Sequence, residues 1–210
     1  MEYTINIKGR LMDLSTPQVM GILNVTPDSF YSGSRKQTEM EIAQRANQII
    51  EEGGSIIDVG AFSTRPGADE VSEEEEGRRL KFALDIVRRE QPDAAVSVDT
   101  YRPTLARKCI EEWGADIIND VSEGGITGIA NVPLEQRQEE YPEMFRVVGE
   151  LKVPYILMSV QPTLATMMKA LPERYSSCVI WVPRISSSTR VSASARISFR
   201  IIRFMMRWRS

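Results

Sequence analysis

Met20-Gly21-Ile22-Leu23-Asn24-Val25-Thr26-Pro27-Asp28-Ser29-Phe30 is the stretch on which the reading of the whole chain turns. Apolar residues from Val19 to Leu23 run directly into a turn rich in hydrogen-bonding side chains. A buried run that ends in a polar cluster is the pattern of a parallel strand opening at its C-terminal mouth. The turn Thr26-Pro27-Asp28-Ser29 has ordinary loop chemistry as well, because Pro fixes its own φ and Asp bonds the following backbone. A plain strand-to-loop exit is therefore the competing reading of those four residues.

Outward from this stretch the same unit recurs. Upstream, Tyr3, Ile5 and Ile7 alternate as in a strand or hairpin arm. Downstream, the spacing of Ile42, Ala46, Ile49 and Ile50 predicts a helix over 39–52, which Gly53 stops. A buried strand is expected over 55–60. Ser72 with Glu75 three residues on reads as a capping box, opening a helix whose apolar stripe is Leu80, Ala83, Leu84 and Val87. Acidic residues Glu73 to Glu76 in its first turn and Arg88 and Arg89 in its last suit the helix dipole, so the acidic run reads as a solvated helix start and not a metal site.

A third strand is expected over 94–98 with Asp99 at its end, then a helix that Pro103 starts and Gly114 ends. Strands at 116–121 and 155–158 flank a Gly-rich loop, 123–137, and a helix over 140–151. Glu52-Gly53-Gly54-Ser55-Ile56-Ile57-Asp58-Val59 echoes Glu112-Trp113-Gly114-Ala115-Asp116-Ile117-Ile118-Asn119 as helix end, glycine and polar-tipped strand. Alternation at this rhythm predicts an α/β fold, either a (β/α)₈ barrel or a doubly wound sheet. Polar residues at successive strand ends favour the barrel, because barrel chemistry sits on a ring of strand tips.

The net charge of −3 hides an asymmetry. From Tyr175 onward there are seven Arg and no Asp, Glu or Lys, which leaves 19 basic residues against 29 acidic ones before it. That acidic body is a poor nucleic-acid binder. Cys109 and Cys178 cannot build a disulfide framework or a zinc site, and His is absent. With no long apolar run for a membrane, the expected location is the cytoplasm.

The opening stretch resembles the first motif of the dihydropteroate synthases, the folate-pathway enzymes that join a pterin to p-aminobenzoate. Ser63-Thr64-Arg65-Pro66-Gly67, Ser97-Val98-Asp99-Thr100 and Ile117-Ile118-Asn119-Asp120-Val121 follow in that family's order. The resemblance covers roughly residues 1–174. It implies a (β/α)₈ TIM barrel, here cut to about five βα units, and a transferase that condenses 6-hydroxymethyl-7,8-dihydropterin pyrophosphate with p-aminobenzoate. It implies Mg²⁺ at Asn24 beside the pyrophosphate, since Mg²⁺ takes oxygen ligands and engages phosphate oxygens. It assigns Asp99 and Asn119 to the pterin, with Asp99 also stabilising positive charge as the C–O bond breaks. It places Thr26, Asp28, Ser29 and Phe30 on one mobile loop and Ser63, Thr64, Arg65 and Pro66 on a second, serving pyrophosphate and p-aminobenzoate. For Asn24 the alternative is a loop cap, and for Asp99 a cap on the helix at Pro103. Asp58 and Asp120 read as supporting residues.

The family is often homodimeric, an assembly not expected of a cut barrel. Its second pterin-binding Asp, its Lys and its late Arg/His anion site belong to the part beyond Arg174. Two alternatives stay open: a pterin-binding barrel of the methyltetrahydrofolate-methyltransferase kind, and a fragment without function.

After Arg174 the periodicity gives way to Ser and Arg, as in Ile185-Ser186-Ser187-Ser188-Thr189-Arg190. A Ser/Arg linker or a basic nucleic-acid arm would look like this. So would a shifted reading frame. Codons compatible with 185–196, regrouped one base earlier, read D-I-I-L-D-P-G-F-G-F-G-K, which resembles the family's next strand motif. The expectation is a barrel portion over 1–174 and an out-of-frame, poorly ordered tail over 175–210, with free edges on the first and fifth barrel strands.

Overall fold

The computed structural model describes residues 4–25, 35–62, 71–122 and 143–158, with the backbone of 186–189. A short antiparallel hairpin comes first, β1 (Thr4–Ile7) and β2 (Arg10–Asp13), paired Ile7 to Arg10. Its two-residue turn, Lys8-Gly9, has positive φ at both positions, the twist that suits tight hairpins. The Asn6 side chain accepts the Gly9 N–H at 2.7 Å.

Six parallel strands follow: β3 (Met20–Asn24), β4 (Ile56–Gly60), β5 (Ala95–Asp99), β6 (Ile117–Asp120), β7 (Tyr155–Met158) and β8 (Ser186–Thr189). Between them lie α1 (Arg35–Glu51), α2 (Glu73–Glu90), α3 (Pro103–Glu111) and α4 (Glu143–Leu151). Strand order in the sheet equals chain order, β3-β4-β5-β6-β7-β8. A doubly wound sheet reverses its order at a switch point, so consecutive order decides for the barrel type of winding.

The two faces of the sheet bury different partners. Leu23, Ile57, Val59, Val96, Val98, Ile118, Tyr155 and Leu157 pack with the helices in one core. The alternate residues Ile56, Ala95, Ile117 and Ile156 pack on Ile5, Ile7 and Leu14 from the hairpin arm and the chain that follows it. Among the described residues the helices cover one face, and the lead-in plugs the other at the N-terminal ends of the strands. Burying each of these Ile side chains stabilises by about 1.5–3 kcal/mol.

Helix ends obey the local chemistry read from sequence. Ser72 caps α2 and its side chain accepts the Glu75 N–H at 3.2 Å. Pro103 stands at the first turn of α3. At the end of α1, Gly53 (φ +91°) turns the chain, with Gly53 and Gly54 donating to the Ile50 and Ile49 carbonyls. The acidic run is the exception: Glu76 is not solvated but fully buried. It shares the helix face of Leu80 and Ala83, four and seven residues on, and so turns inward with them.

One expected free edge is observed and one is not. Among the described residues β3 pairs with β4 alone, and Val19 and Ile22 beside its edge are exposed. The outer edge of β7 instead pairs with β8, Tyr155 to Ser186 through Met158 to Thr189. Backbone pairing needs no apolar side chain, which is how a Ser-Ser-Ser-Thr segment can extend the sheet. Among the described residues, no helix is long and apolar enough to cross a membrane.

Candidate active site

The register brings four residues into one row. Asn24 pairs with Gly60, Gly60 with Asp99, and Asp99 with Asn119, across β3, β4, β5 and β6. Partners in a parallel register point to the same face, here the face opposite the helices. Beneath this row, nearer the hairpin, lie Asp58 and Ser97 on β4 and β5.

Gly60 gives the row its shape. A Cβ at this position would stand 2.8 Å from Asn24 Oδ1 and 3.7 Å from Asp99 Oδ2. Both oxygens thus border the space that the missing side chain leaves. Asn24 is exposed and Asn119 is buried at 7% exposure, so the row runs from an open end to a closed one.

Asp99 has few of the partners a buried carboxylate normally gathers. Its Oδ1 is buried without a hydrogen bond. Burial raises its pKa well above the ordinary Asp value, and Asp58, Asp120 and Glu76 push the same way. Asp99 does not cap the following helix either, because Arg102 holds the N-cap position of α3 and no side chain bonds there. Asp58 is also raised by burial, partly offset by Ser97 and by Asn119, whose Nδ2 donates to Asp58 Oδ2 at 3.0 Å. The Ser97 hydroxyl is near Asp58 but outside good hydrogen-bond geometry, and Asp58 Oδ1 is unpartnered. Asp58 therefore orients the Asn119 amide, as a supporting residue should.

Asp120 turns to the helix side. It accepts the Ser122 N–H at 2.7 Å, the Ser122 hydroxyl at 2.5 Å and the Tyr155 hydroxyl at 2.5 Å. Its work is to fold the turn after β6. A cavity of about 370 Å³ opens beside β3, lined by Asn24, Thr38, Glu41 and Arg45 among others. Asn24 alone of the row borders it, so this cavity follows the free edge of β3 and not the centre of the row.

Thr26, Asp28, Ser29, Phe30, Ser63, Thr64, Arg65 and Pro66 lie outside the described residues. A hard oxygen donor on the open face is nevertheless compatible with Mg²⁺, which binds through few protein oxygens and keeps its waters. Asn24 Oδ1, facing the space over Gly60, is such a donor. No cluster of three or more His, Cys, Asp or Glu able to hold a metal occurs among the described residues.

Three features escaped the sequence reading: Gly60 as the gap in the row, the buried Glu76, and an aromatic contact at the mouth. Phe62 and Tyr101 meet edge-on, with ring centroids 5.1 Å apart. The i, i+4, i+7 spacing of Glu76 with Leu80 and Ala83 carried the second signal. Nothing local carried the others.

Comparison with known proteins gives the chain a family. The family described as pterin binding enzyme matches residues 20–196. The chain is 38% identical to the dihydropteroate synthase of Escherichia coli (strain K12) over 163 residues, covering 78% of this chain and 52% of that protein. It is 39% identical to the mitochondrial folate synthesis bifunctional protein of Arabidopsis thaliana over 170 residues, covering 80% of this chain and 28% of that one. Among solved structures, Xanthomonas albilineans dihydropteroate synthase with 4-aminobenzoic acid superposes with a TM-score of 0.70 at 31% identity, over 90% of this chain and 66% of that one. The same enzyme in complex with 7,8-dihydropteroate gives a TM-score of 0.67 at 29% identity, over 88% and 64%. The chain spans about half the length of the dihydropteroate synthases of Escherichia coli and Streptococcus pyogenes that it matches.

Proposed function

The chain belongs to the pterin-binding enzymes, and from that premise we propose that its row of strand tips serves the dihydropteroate synthase reaction. In that reaction the arylamine nitrogen of p-aminobenzoate attacks the methylene carbon of the dihydropterin. The C–N bond forms, the C–O bond to pyrophosphate breaks, and the amine gives up a proton. The observation that carries the reading is the in-register row Asn24, Gly60, Asp99, Asn119 on one face of the sheet.

Each position suits a part of the substrate. A pterin edge alternates N–H donors with acceptors, which an acceptor-only carboxylate and an amide can satisfy together. Asp99 Oδ1, buried without a partner, is the acceptor such an edge would meet. Without a ligand, burial and the neighbouring carboxylates favour its neutral acid. A ring that brings N–H donors and developing positive charge reverses that balance, so pterin binding releases a proton from this cluster. Asn119, oriented by Asp58, supplies the amide. Gly60 leaves room for a flat ring between Asn24 and Asp99.

Asn24 would hold Mg²⁺, which supplies charge neutralisation at the departing pyrophosphate. Thr26, Asp28, Ser29 and Phe30, with Ser63, Thr64, Arg65 and Pro66, form the two loops expected to order p-aminobenzoate and exclude water. A cytoplasmic location accords with this chemistry. For 175–210 we keep the out-of-frame reading. Its support is that β8 pairs beside β7 where the regrouped D-I-I-L-D would put the next strand. Sequencing the coding DNA around codons 170–180 tests it, and synonymous codons that forbid the regrouping would end it.

Calorimetric titration of the 210-residue chain with pterin pyrophosphate tests the site itself. Saturable one-site binding with proton release is expected, and no saturable binding would favour the fragment reading. Turnover with p-aminobenzoate, set against turnover with a methylated folate, separates the synthase from a methyltransferase-type barrel.

A further inference from the structure

We propose that Glu76 is a positioning residue of this site, its buried carboxylate fixing the turn that follows Asp99 and, through Arg102, the start of α2. Glu76 lies in the first turn of α2 and has no exposed surface. Its Oε1 accepts the Thr100 hydroxyl at 2.7 Å. Its Oε2 stands 3.1 Å from Arg102 Nε as an ion pair, with the N–H not aimed at the oxygen.

Thr100 directly follows Asp99, and its own N–H donates to the Asn119 carbonyl at 3.2 Å. The Arg102 N–H returns to Thr100 Oγ1 at 3.2 Å, and Arg102 Nη2 donates to the Val71 carbonyl at 2.6 Å. That fixes the far end of the β4–α2 connection. At its near end the Phe62 ring meets Tyr101, and Arg102 lies over the Tyr101 ring at 5.2 Å. Arg79, also from α2, donates to the Ala61 carbonyl at 3.3 Å. Arg79 is itself held by Glu75 at 2.7 Å, so Glu76 is a hub that ties the start of α2 to the β5–α3 turn directly and reaches the end of β4 through the Tyr101–Phe62 contact of that turn.

Stability alone does not call for a carboxylate here. Replacing a buried ion pair by well-packed apolar groups is often neutral or better, whereas this hub leaves Glu76 Oε2 and Arg102 Nε poorly bonded. What the hub does supply is definition: it holds the turn that directly follows Asp99. Its charge also disfavours ionisation of Asp99, as do those of Asp58 from β4 and Asp120 from β6. The purpose assigned to the hub rests on the pterin reading; the contacts do not.

The test uses the full 210-residue chain and Glu76→Gln, which keeps shape and loses charge. Carboxyl carbon NMR follows Asp99, its signal assigned by its disappearance in Asp99→Asn. In Glu76→Gln the Asp99 midpoint is expected to fall, the Phe62–Tyr101 ring contact to weaken, and pterin pyrophosphate affinity to drop about tenfold or more. An unchanged midpoint and ring contact, with only the melting temperature lowered, would overturn the proposal. If Glu76→Gln does not fold, Thr100→Val keeps both charges and cuts the link to the Asp99 turn. A weakened ring contact then supports the hub, and an unaltered one sinks it. If the native chain binds no pterin pyrophosphate the pterin reading fails, yet the Asp99 midpoint and ring contact still decide the role of Glu76.

Discussion

Asp116 and Asp99 are two aspartates at opposite ends of one sheet, and their surroundings differ in kind. Asp116, just before β6, has a side chain only 3% exposed and is fully matched. Lys8 Nζ lies 2.8 Å from its Oδ1, and its Oδ2 accepts Arg88 Nη2 at 2.5 Å and the Val96 N–H at 2.8 Å. Arg88 adds bonds to the Gly114 and Ala94 carbonyls at 2.8 and 2.7 Å, stitching β5 to β6. Asp99, at the other end of β5, keeps one buried oxygen unbonded, with carboxylates as its charged neighbours. The N-terminal end of the barrel portion is satisfied and therefore structural. The C-terminal end holds unmet hydrogen-bonding capacity, which is what a binding site needs and a core avoids.

The sharpest way to break this contrast is Asp116→Ala. It takes the carboxylate from the mostly buried Arg88 and from the Val96 N–H, and a loss of about 3–5 kcal/mol in urea unfolding is expected, as when one partner of a buried pair is removed. A loss below about 1 kcal/mol would show that the N-terminal end is not the anchor.

Asp99→Asn should do the opposite. Pterin pyrophosphate affinity is expected to fall about 100-fold, about 2.7 kcal/mol, by titration. Stability at neutral pH is expected to rise. The sign follows from the raised folded pKa: between the ordinary Asp value of 3.8 and that higher value, the unfolded chain releases a proton that the folded chain keeps. Stability of the native protein therefore falls as pH climbs through this window. The substitution removes Asp99's share of that fall, so the two unfolding curves should converge in acid. A neutral-pH gain that fails to shrink in acid would refute the assignment.

Gly60→Ala probes the gap in the row. Its methyl would sit 2.8 Å from Asn24 Oδ1, so Asn24 must move. About a tenfold loss of pterin affinity, with little change in fold stability, is expected from calorimetry and melting. Lys8→Ala is the mildest change. Its side chain is 56% exposed, and the remaining Arg88 keeps Asp116 paired, so a loss of about 0.5–1 kcal/mol is expected.

Much of this was legible in residues 1–174 because the signals are local. Ser72 with Glu75, Pro103, and the glycines at 53 and 114 punctuate helices through bonds a few residues long. The buried runs at 56–60 and 95–98 announce strands with both faces covered. The motif residues Asn24, Asp99 and Asn119 could be picked out by resemblance. That they share one face with Gly60 between them could not, since it depends on register between strands far apart in sequence. The solvated reading of Glu73 to Glu76 failed at its last member because charge was allowed to outweigh helical spacing.

The sequence by itself determined the alternation of strand and helix over residues 1–174 and which residue types stand at the strand tips. Those follow from side-chain periodicity and backbone preferences that act over one or two turns of chain. Only the tertiary structure decided that Asp116 would meet two cations while Asp99 would meet other carboxylates. Burial and the charges across a sheet set the protonation of a carboxylate, and neither is a property of its neighbours in the chain.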